Sequence, residues 1–154
     1  PYVPGDLGTL VVGHDTIEIV APASHRWTKN GVVSRHELAK TPLVLREVGS
    51  GTRQALEQAM AEAGSPLLAE PAAEIPTALG IRSTVMAGLG PGALSSLVVA
   101  EDVRSGRLVR IRIRNLKIER SLTAIWSGRR PTRTAGDFLE LIRAAPGPTR
   151  AGPR

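Results

Sequence analysis

Two apolar spacings alternate along the chain, short runs or every-second-residue patterns and stripes near 3.6 residues. Ile17-Glu18-Ile19-Val20-Ala21 is a strand pattern closed by Pro22. Ser34 is placed to cap a short helix reaching Leu38, with Glu37 at the capping-box position three residues on. Pro42-Leu43-Val44-Leu45-Arg46 is a continuous apolar run of the kind found in a buried parallel strand. Gly49-Ser50-Gly51 breaks it. A helix from Thr52 to Ala63 follows, with Ala55, Leu56, Ala59, Met60 and Ala63 on one face and Gly64 as its stop. Leu67 to Ile75 is a further strand of mixed polarity, and Pro76 opens a helix to Ala87 carrying Leu79, Val85 and Met86. After the loop Gly88-Leu89-Gly90-Pro91-Gly92 come a short strand at Ala93-Leu94 and a helix from Leu97 to Val103. Leu108 to Ile113 alternates, with arginines on its polar face, and Arg120 to Trp126 is another strand. A closing helix runs from Thr132 or Thr134 to Arg143, with Phe138, Leu139 and Ile142 on one stripe. The alternation predicts an α/β fold with a largely parallel sheet.

Composition narrows this picture. At 154 residues and 42% hydrophobic, the chain has the length and apolar content for one domain or two small lobes. Only 3% is aromatic, so the core falls to Leu, Ile, Val and Ala, and base stacking on single-stranded nucleic acid is disfavoured. The absence of cysteine excludes disulfides, thiolate metal sites and a cysteine nucleophile, and fits a reducing cytoplasm. No apolar run has the length of a transmembrane helix, and the first residues lack the charged and apolar parts of an export signal.

Charge is uneven. Residues 1–103 carry seven Lys/Arg against eleven Asp/Glu, whereas residues 104–154 carry thirteen against three. Direct DNA binding would need that excess gathered on one face. A solvated, arginine-rich surface is the plainer account.

The strongest candidate for chemistry is the strand, the turn Gly49-Ser50-Gly51-Thr52-Arg53, and the helix after it. The first amides of a helix have no partners within it, and the helix dipole is positive there. With the hydroxyls of Ser50 and Thr52, and with Arg53, such a start can hold a carboxylate, sulfate or phosphate. The same residues read equally well as a plain helix cap. The following residues do not make a nucleotide-binding P-loop. The 88–92 loop lacks the spacing of a dinucleotide fingerprint and is better read as structural. His14, His25 and His36 are not at metal-ligand spacing. Ser50 as a nucleophile has no nucleophile-elbow motif around it. Glu47 and Glu74, at neighbouring strand ends, are a weak candidate acid/base pair.

Several of these segments, in this order, resemble one family. Leu45-Arg46-Glu47-Val48-Gly49-Ser50-Gly51-Thr52-Arg53 with Leu56-Glu57 is similar to the effector-binding domain of LysR-type transcriptional regulators. So are Val20-Ala21-Pro22-Ala23-Ser24-His25-Arg26-Trp27, Val85 to Gly90 with Leu94-Ser95, Val103 to Val109, Arg120-Ser121-Leu122, and the helix around Phe138-Leu139. The landmarks run from about residue 7 to residue 145. Pro91-Gly92 departs from the family pattern of Ile or Val before a small residue.

The resemblance implies a periplasmic-binding-protein-like (type II) fold: two α/β lobes joined by crossover strands, with the effector between them. It implies that residues 1–13 are an incomplete first-lobe and crossover segment. Residues 14–116 would be the second lobe, with a mostly parallel sheet, and 117–145 the strand and helix returning to the first lobe. Residues 146–154, rich in Pro and Gly, would be a disordered tail. An N-terminally truncated fragment is implied, with the opening of the first lobe and a helix-turn-helix preceding it. The effector would touch Gly49, Ser50, Gly51, Thr52, Arg53, Ile75, Thr77 and Gly90. The implied partners are a small anionic metabolite, further copies in a dimer or tetramer, and DNA through the absent domain. No membrane, cofactor, metal or catalysis is implied, and the location is the cytoplasm. A stand-alone solute-binding protein of the same fold is the alternative.

Overall fold

A computed structural model describes residues 7–128 and 130–144. The expected tail at 146–154 lies outside the described residues. The chain divides into two compact units: residues 15–120 form the larger, and the described stretches 7–14 and 121–144 belong to the smaller.

Seven strands form: β1 (Leu7–Pro22), β2 (Val32–Val33), β3 (Val44–Leu45), β4 (Ala73–Glu74), β5 (Gly92–Ser95), β6 (Leu108–Ile113) and β7 (Ile118–Ser127). The helices are α1 (Arg35–Ala39), α2 (Gly51–Glu62), α3 (Ala78–Met86), α4 (Ser96–Arg104) and α5 (Arg133–Ala144). In the larger unit the strand order is β2-β6-β1-β5-β3-β4. The pairs β2–β6, β3–β5 and β3–β4 are parallel, while β1 is antiparallel to both β5 and β6. Strands β2 to β6 therefore share one direction and β1 alone opposes them, which makes the sheet mostly parallel.

Both faces of this sheet are covered, because successive strand residues point to opposite sides. Ile17, Ile19, Leu45 and Ala93 pack in one cluster with Leu56 and Met60 of α2 and Leu38 of α1. Val20, Val44 and Leu94 pack in a second cluster with Ile81 and Val85 of α3 and Val99 of α4. Two-sided burial is why Leu43-Val44-Leu45 is uniformly apolar.

Where the elements differ from the sequence pattern, local chemistry gives the reason. The strand expected over 67–75 is ordered only at Ala73–Glu74. Leu68 and Ala69 instead donate to Ala39 O, and Pro71 has no N–H to give to a ladder. The capping box at Ser34 is half formed: Ser34 Oγ accepts from Glu37 N at 3.1 Å. The Glu37 carboxylate accepts from Trp27 Nε1 at 2.7 Å and pairs with Arg26 at 2.9 Å. Helix α3 begins after Thr77, whose Oγ1 accepts from Gly80 N, rather than at Pro76. Its buried residues are Ile81 and Val85, so Leu79 and Met86 face outward instead of joining the core. Strand β5 forms in spite of Pro91-Gly92. Pro91 O accepts from Val44 N at 2.8 Å, and Gly92 pairs with Val20 and Val44.

In the smaller unit the Trp126 ring lies over Gly8, where no Cβ would fit. None of its described side chains is buried, α5 included. Among the described residues no helix is long and apolar enough to cross a membrane.

Candidate functional site

In parallel α/β sheets, the carboxyl ends of the strands are where loops and helix starts gather. In the larger unit β3 leads into α2 at Ser50, β4 leads into α3 at Thr77, and β5 leads into α4 at Ser95. Since β3, β4 and β5 are parallel neighbours, these three helix starts lie along one edge of the sheet.

The three starts are built differently. Thr77 and Ser95 cap in the ordinary way, their hydroxyls accepting from Gly80 N and Leu97 N. Ser50 is the N-cap residue of α2, yet its side chain makes no capping bond. It is nine-tenths buried. Gly49 before it has φ of +91°, a conformation open to glycine, which turns the chain from β3 into the helix. The plain-cap reading of Ser50 therefore does not describe its hydroxyl.

Arg53 is engaged elsewhere. Its Nε donates to Glu57 at 2.7 Å, and its Nη1 donates to Glu74 at 2.6 Å and to Arg46 O at 3.1 Å. It ties α2 to β4, with three of its five N–H groups engaged. The pairing considered for Glu47 and Glu74 does not form, because Arg46 holds Glu47 and Arg53 holds Glu74. The hydrogen bond from Arg46 keeps the Glu47 carboxyl below its usual range.

Gly90 is the expected site residue that the fold sets apart. It precedes β5, and a Cβ added to it would lie 3.7 Å from Pro42 O, at the amino ends of β3 and β5. The carboxyl end of β5, where α4 starts, is the other end, Ser95-Ser96. Ile75 is only partly buried, and its backbone N–H donates to Leu45 O at 3.0 Å, which fixes the β4 end beside β3.

Four residues that sequence reasoning missed meet at this edge. Asp15, on β1, is buried; its Oδ1 accepts from Ser95 Oγ at 2.9 Å and Ser96 Oγ at 3.3 Å. Its Oδ2 accepts from Arg120 Nε at 3.0 Å and Nη2 at 2.7 Å. Arg120, on β7, also donates from Nη1 to Thr52 Oγ1 at 3.2 Å. The network thus joins the starts of α2 and α4 to β1 and β7. A serine pair before an apolar helix was a readable signal for Ser95-Ser96. Asp15 and Arg120 are 105 positions apart, and only the fold brings them together.

No catalytic arrangement surrounds Ser50. His25 accepts from Trp27 N, and His14 Nδ1 lies 3.5 Å from Ser121 Oγ; among the described residues no histidine is hydrogen-bonded to Ser50. Nor do the described residues group three or more His, Cys, Asp or Glu as a metal site.

Four arginines of the basic C-terminal third pair with carboxylates from the acidic part of the chain. Arg104 pairs with Glu101, Arg107 with Asp102, Arg110 with Glu18 and Arg120 with Asp15.

The LysR substrate binding domain family matches residues 1–147. The chain is 41% identical over 145 residues to an uncharacterized HTH-type transcriptional regulator of Mycobacterium tuberculosis, covering 92% of this chain and 46% of that protein. It is 34% identical over 139 residues to the HTH-type transcriptional regulator CbbR of Xanthobacter flavus, covering 86% and 41%. The chain thus spans less than half the length of these relatives. Among solved structures, the Synechocystis CcmR regulatory domain in complex with 2-PG superposes with a TM-score of 0.79 at 19% identity, over 94% of this chain and 69% of that one. That likeness carries the fold, which is the periplasmic-binding-protein-like type II architecture of LysR regulatory domains, and the family is one of regulator effector-binding domains and not of enzymes. With its sheet, its helix starts and its sequence in agreement, this chain belongs to the LysR substrate binding domain family.

Proposed function

We propose that this chain is the ligand-sensing part of a cytoplasmic LysR-type regulator and that it binds a small anionic metabolite at the start of α2. Gly49, Ser50, Gly51 and Thr52 form the contact, with Ile75 and Thr77 beside it on the next strand-to-helix turn. The observation that carries this reading is Ser50: a hydroxyl at a helix N-terminus, nine-tenths buried and not used in capping. Unpartnered first-turn amides, a positive dipole end and a free hydroxyl together favour an oxyanion. The complex of the CcmR domain with 2-PG supplies a candidate ligand to try.

The unit of residues 15–120 is read here as the second lobe, near the expected 14–116, and the described residues 7–14 and 121–144 as the returning part of the first. The lack of any buried side chain among the described residues of the smaller unit supports its being a partial lobe. In the whole protein the effector shifts the balance between lobe arrangements, and through it the geometry of a homo-oligomer on DNA. The DNA contact falls to a helix-turn-helix outside this chain. The outward Leu79 and Met86 of α3 are suited to a subunit contact.

Calorimetry with 2-PG on the full-length regulator tests the site. Ser50→Ala and Thr52→Ala are expected to weaken binding severalfold. Because Ser50 makes no capping bond, Ser50→Ala is expected to leave stability within about 0.5 kcal/mol, less than the usual loss of a cap. Unchanged affinity in both variants, for a ligand the wild type binds, would place the site elsewhere.

A further inference from the structure

Arg120 is built as an oriented anion donor. Its guanidinium has five N–H groups. Three are used: Nε and Nη2 on Asp15 Oδ2, and Nη1 on Thr52 Oγ1. Two remain, one on each terminal nitrogen, and the side chain is 27% exposed. Asp15 holds this fork rigidly. It is 1% exposed, and both its oxygens are satisfied, by Ser95 and Ser96 on one side and by Arg120 on the other. The pair is thus a buried carboxylate orienting a half-open arginine, and it stands at the first turn of α2. Arg120 Nη1 also lies 3.7 Å from where a Cβ on Gly51 would be. A side chain at position 51 would crowd the same space that the guanidinium fronts. Since Thr52 Oγ1 accepts from Arg120, its own O–H is left to donate.

We infer that Arg120, oriented by Asp15, is the residue that selects an oxyanion at the start of α2. The inference rests on the effector site proposed above and adds its charge recognition. A planar guanidinium with a free N–H on each terminal nitrogen fits a carboxylate or phosphate better than a spherical halide. The Ser50 hydroxyl, the Thr52 hydroxyl and the first-turn amides supply the remaining donors. Asp15 touches no ligand; it is a positioning residue that orients the Arg120 fork.

The test is a chemical-shift titration of this chain with inorganic phosphate and, separately, with malonate, at constant chloride. The amides of Gly51 and Thr52 are expected to shift and saturate. Arg120→Lys keeps the charge but loses the fork, and is expected to weaken binding about tenfold while the protein remains folded by its thermal transition. Asp15→Asn keeps the size of the side chain but loses the charge that orients Arg120, and is expected to weaken binding by a smaller factor. A stronger effect of these variants on phosphate than on malonate identifies a phosphate ligand, and the reverse a carboxylate. If Arg120→Lys, Arg120→Gln and Asp15→Asn all bind as wild type while Ser50→Ala loses binding, the role of Arg120 is overturned and the effector site stands. If the wild type binds neither oxyanion at these amides, the effector-site reading fails and the role of Arg120 with it.

Discussion

At Gly92, β5 passes so close to α3 that an added Cβ would meet Val85 Cγ2 at 2.7 Å, Ile81 Cγ2 at 3.1 Å and the backbone oxygen of Val44 at 3.1 Å. The two side chains can give way a little, but the carbonyl is held by the parallel ladder between β3 and β5. Gly92→Ala is therefore expected to destabilise the protein by about 1–3 kcal/mol, the usual cost of overpacking a core. Urea unfolding reads this directly, and a midpoint equal to that of wild type would contradict it. Single residues were legible in the sequence only where their neighbours in the chain decide their role. Ser34 and Gly49 are of this kind: one caps the helix that follows it, and the other turns the chain by its own φ. Gly92 and Arg53 are not. Gly92 read as part of a loop until α3 lay across it, and Arg53 read only as a ligand donor until Glu57 and Glu74 engaged part of its guanidinium.

Between elements, one carboxylate fastens three. Asp102 on α4 is buried and accepts from Arg82 of α3 through both oxygens, and from Arg107, just before β6, at 2.9 Å. The hydrogen bond from Arg82 lowers the Asp102 carboxyl to about 2 against the opposing cost of burial, and Arg107 adds to the lowering. A carboxyl whose value is depressed on folding stabilises the fold above its unfolded value and loses that stabilisation as pH falls toward its folded value. Asp102→Asn is thus expected to cost about 2 kcal/mol at neutral pH, where it breaks charge-assisted bonds. The gap between variant and wild type is expected to close as pH falls from about 4 to 2, the interval between the ordinary carboxyl value and the folded one. Thermal unfolding at pH 7, 4 and 3 checks both, and a gap independent of pH would assign the stability to something other than this charge. Helices α2 and α3 were legible because burial repeats along each: Leu56 and Met60 on α2, and Ile81 and Val85 on α3, are four apart. The two-residue strands β2, β3 and β4 were less so, since a pair of residues carries no period. Their extent is set by partners far away in the sequence.

For the molecule as a whole, apolar surface is distributed unequally between the two units. The larger has two buried clusters, whereas α5 of the smaller leaves Phe138 63% and Leu141 70% exposed, and β7 leaves Ile125 53% exposed. An amphipathic helix with its apolar stripe uncovered favours association. This chain on its own is expected to self-associate, and Phe138→Ser with Leu141→Ser to shift it toward monomer in sedimentation velocity. No change in the distribution would mean that this stripe is not the contact. Fold class was legible at this scale because strands alternate with helices, and the family because its landmarks keep their order. The partition of charge was legible as a count but not in its pairing: Arg110 and Arg120 of the last third face Glu18 and Asp15 from the first. Strand β1 carries a further consequence. It is sixteen residues long and belongs to both units, and at Ile19 and Val20 it is paired on both edges, with β5 and with β6. Gaining or losing one residue there would turn Ile17, Ile19 and Ala21 onto the face that Val20 occupies and rotate Asp15 away from Arg120. In β1, therefore, the number of residues is constrained as well as their identity.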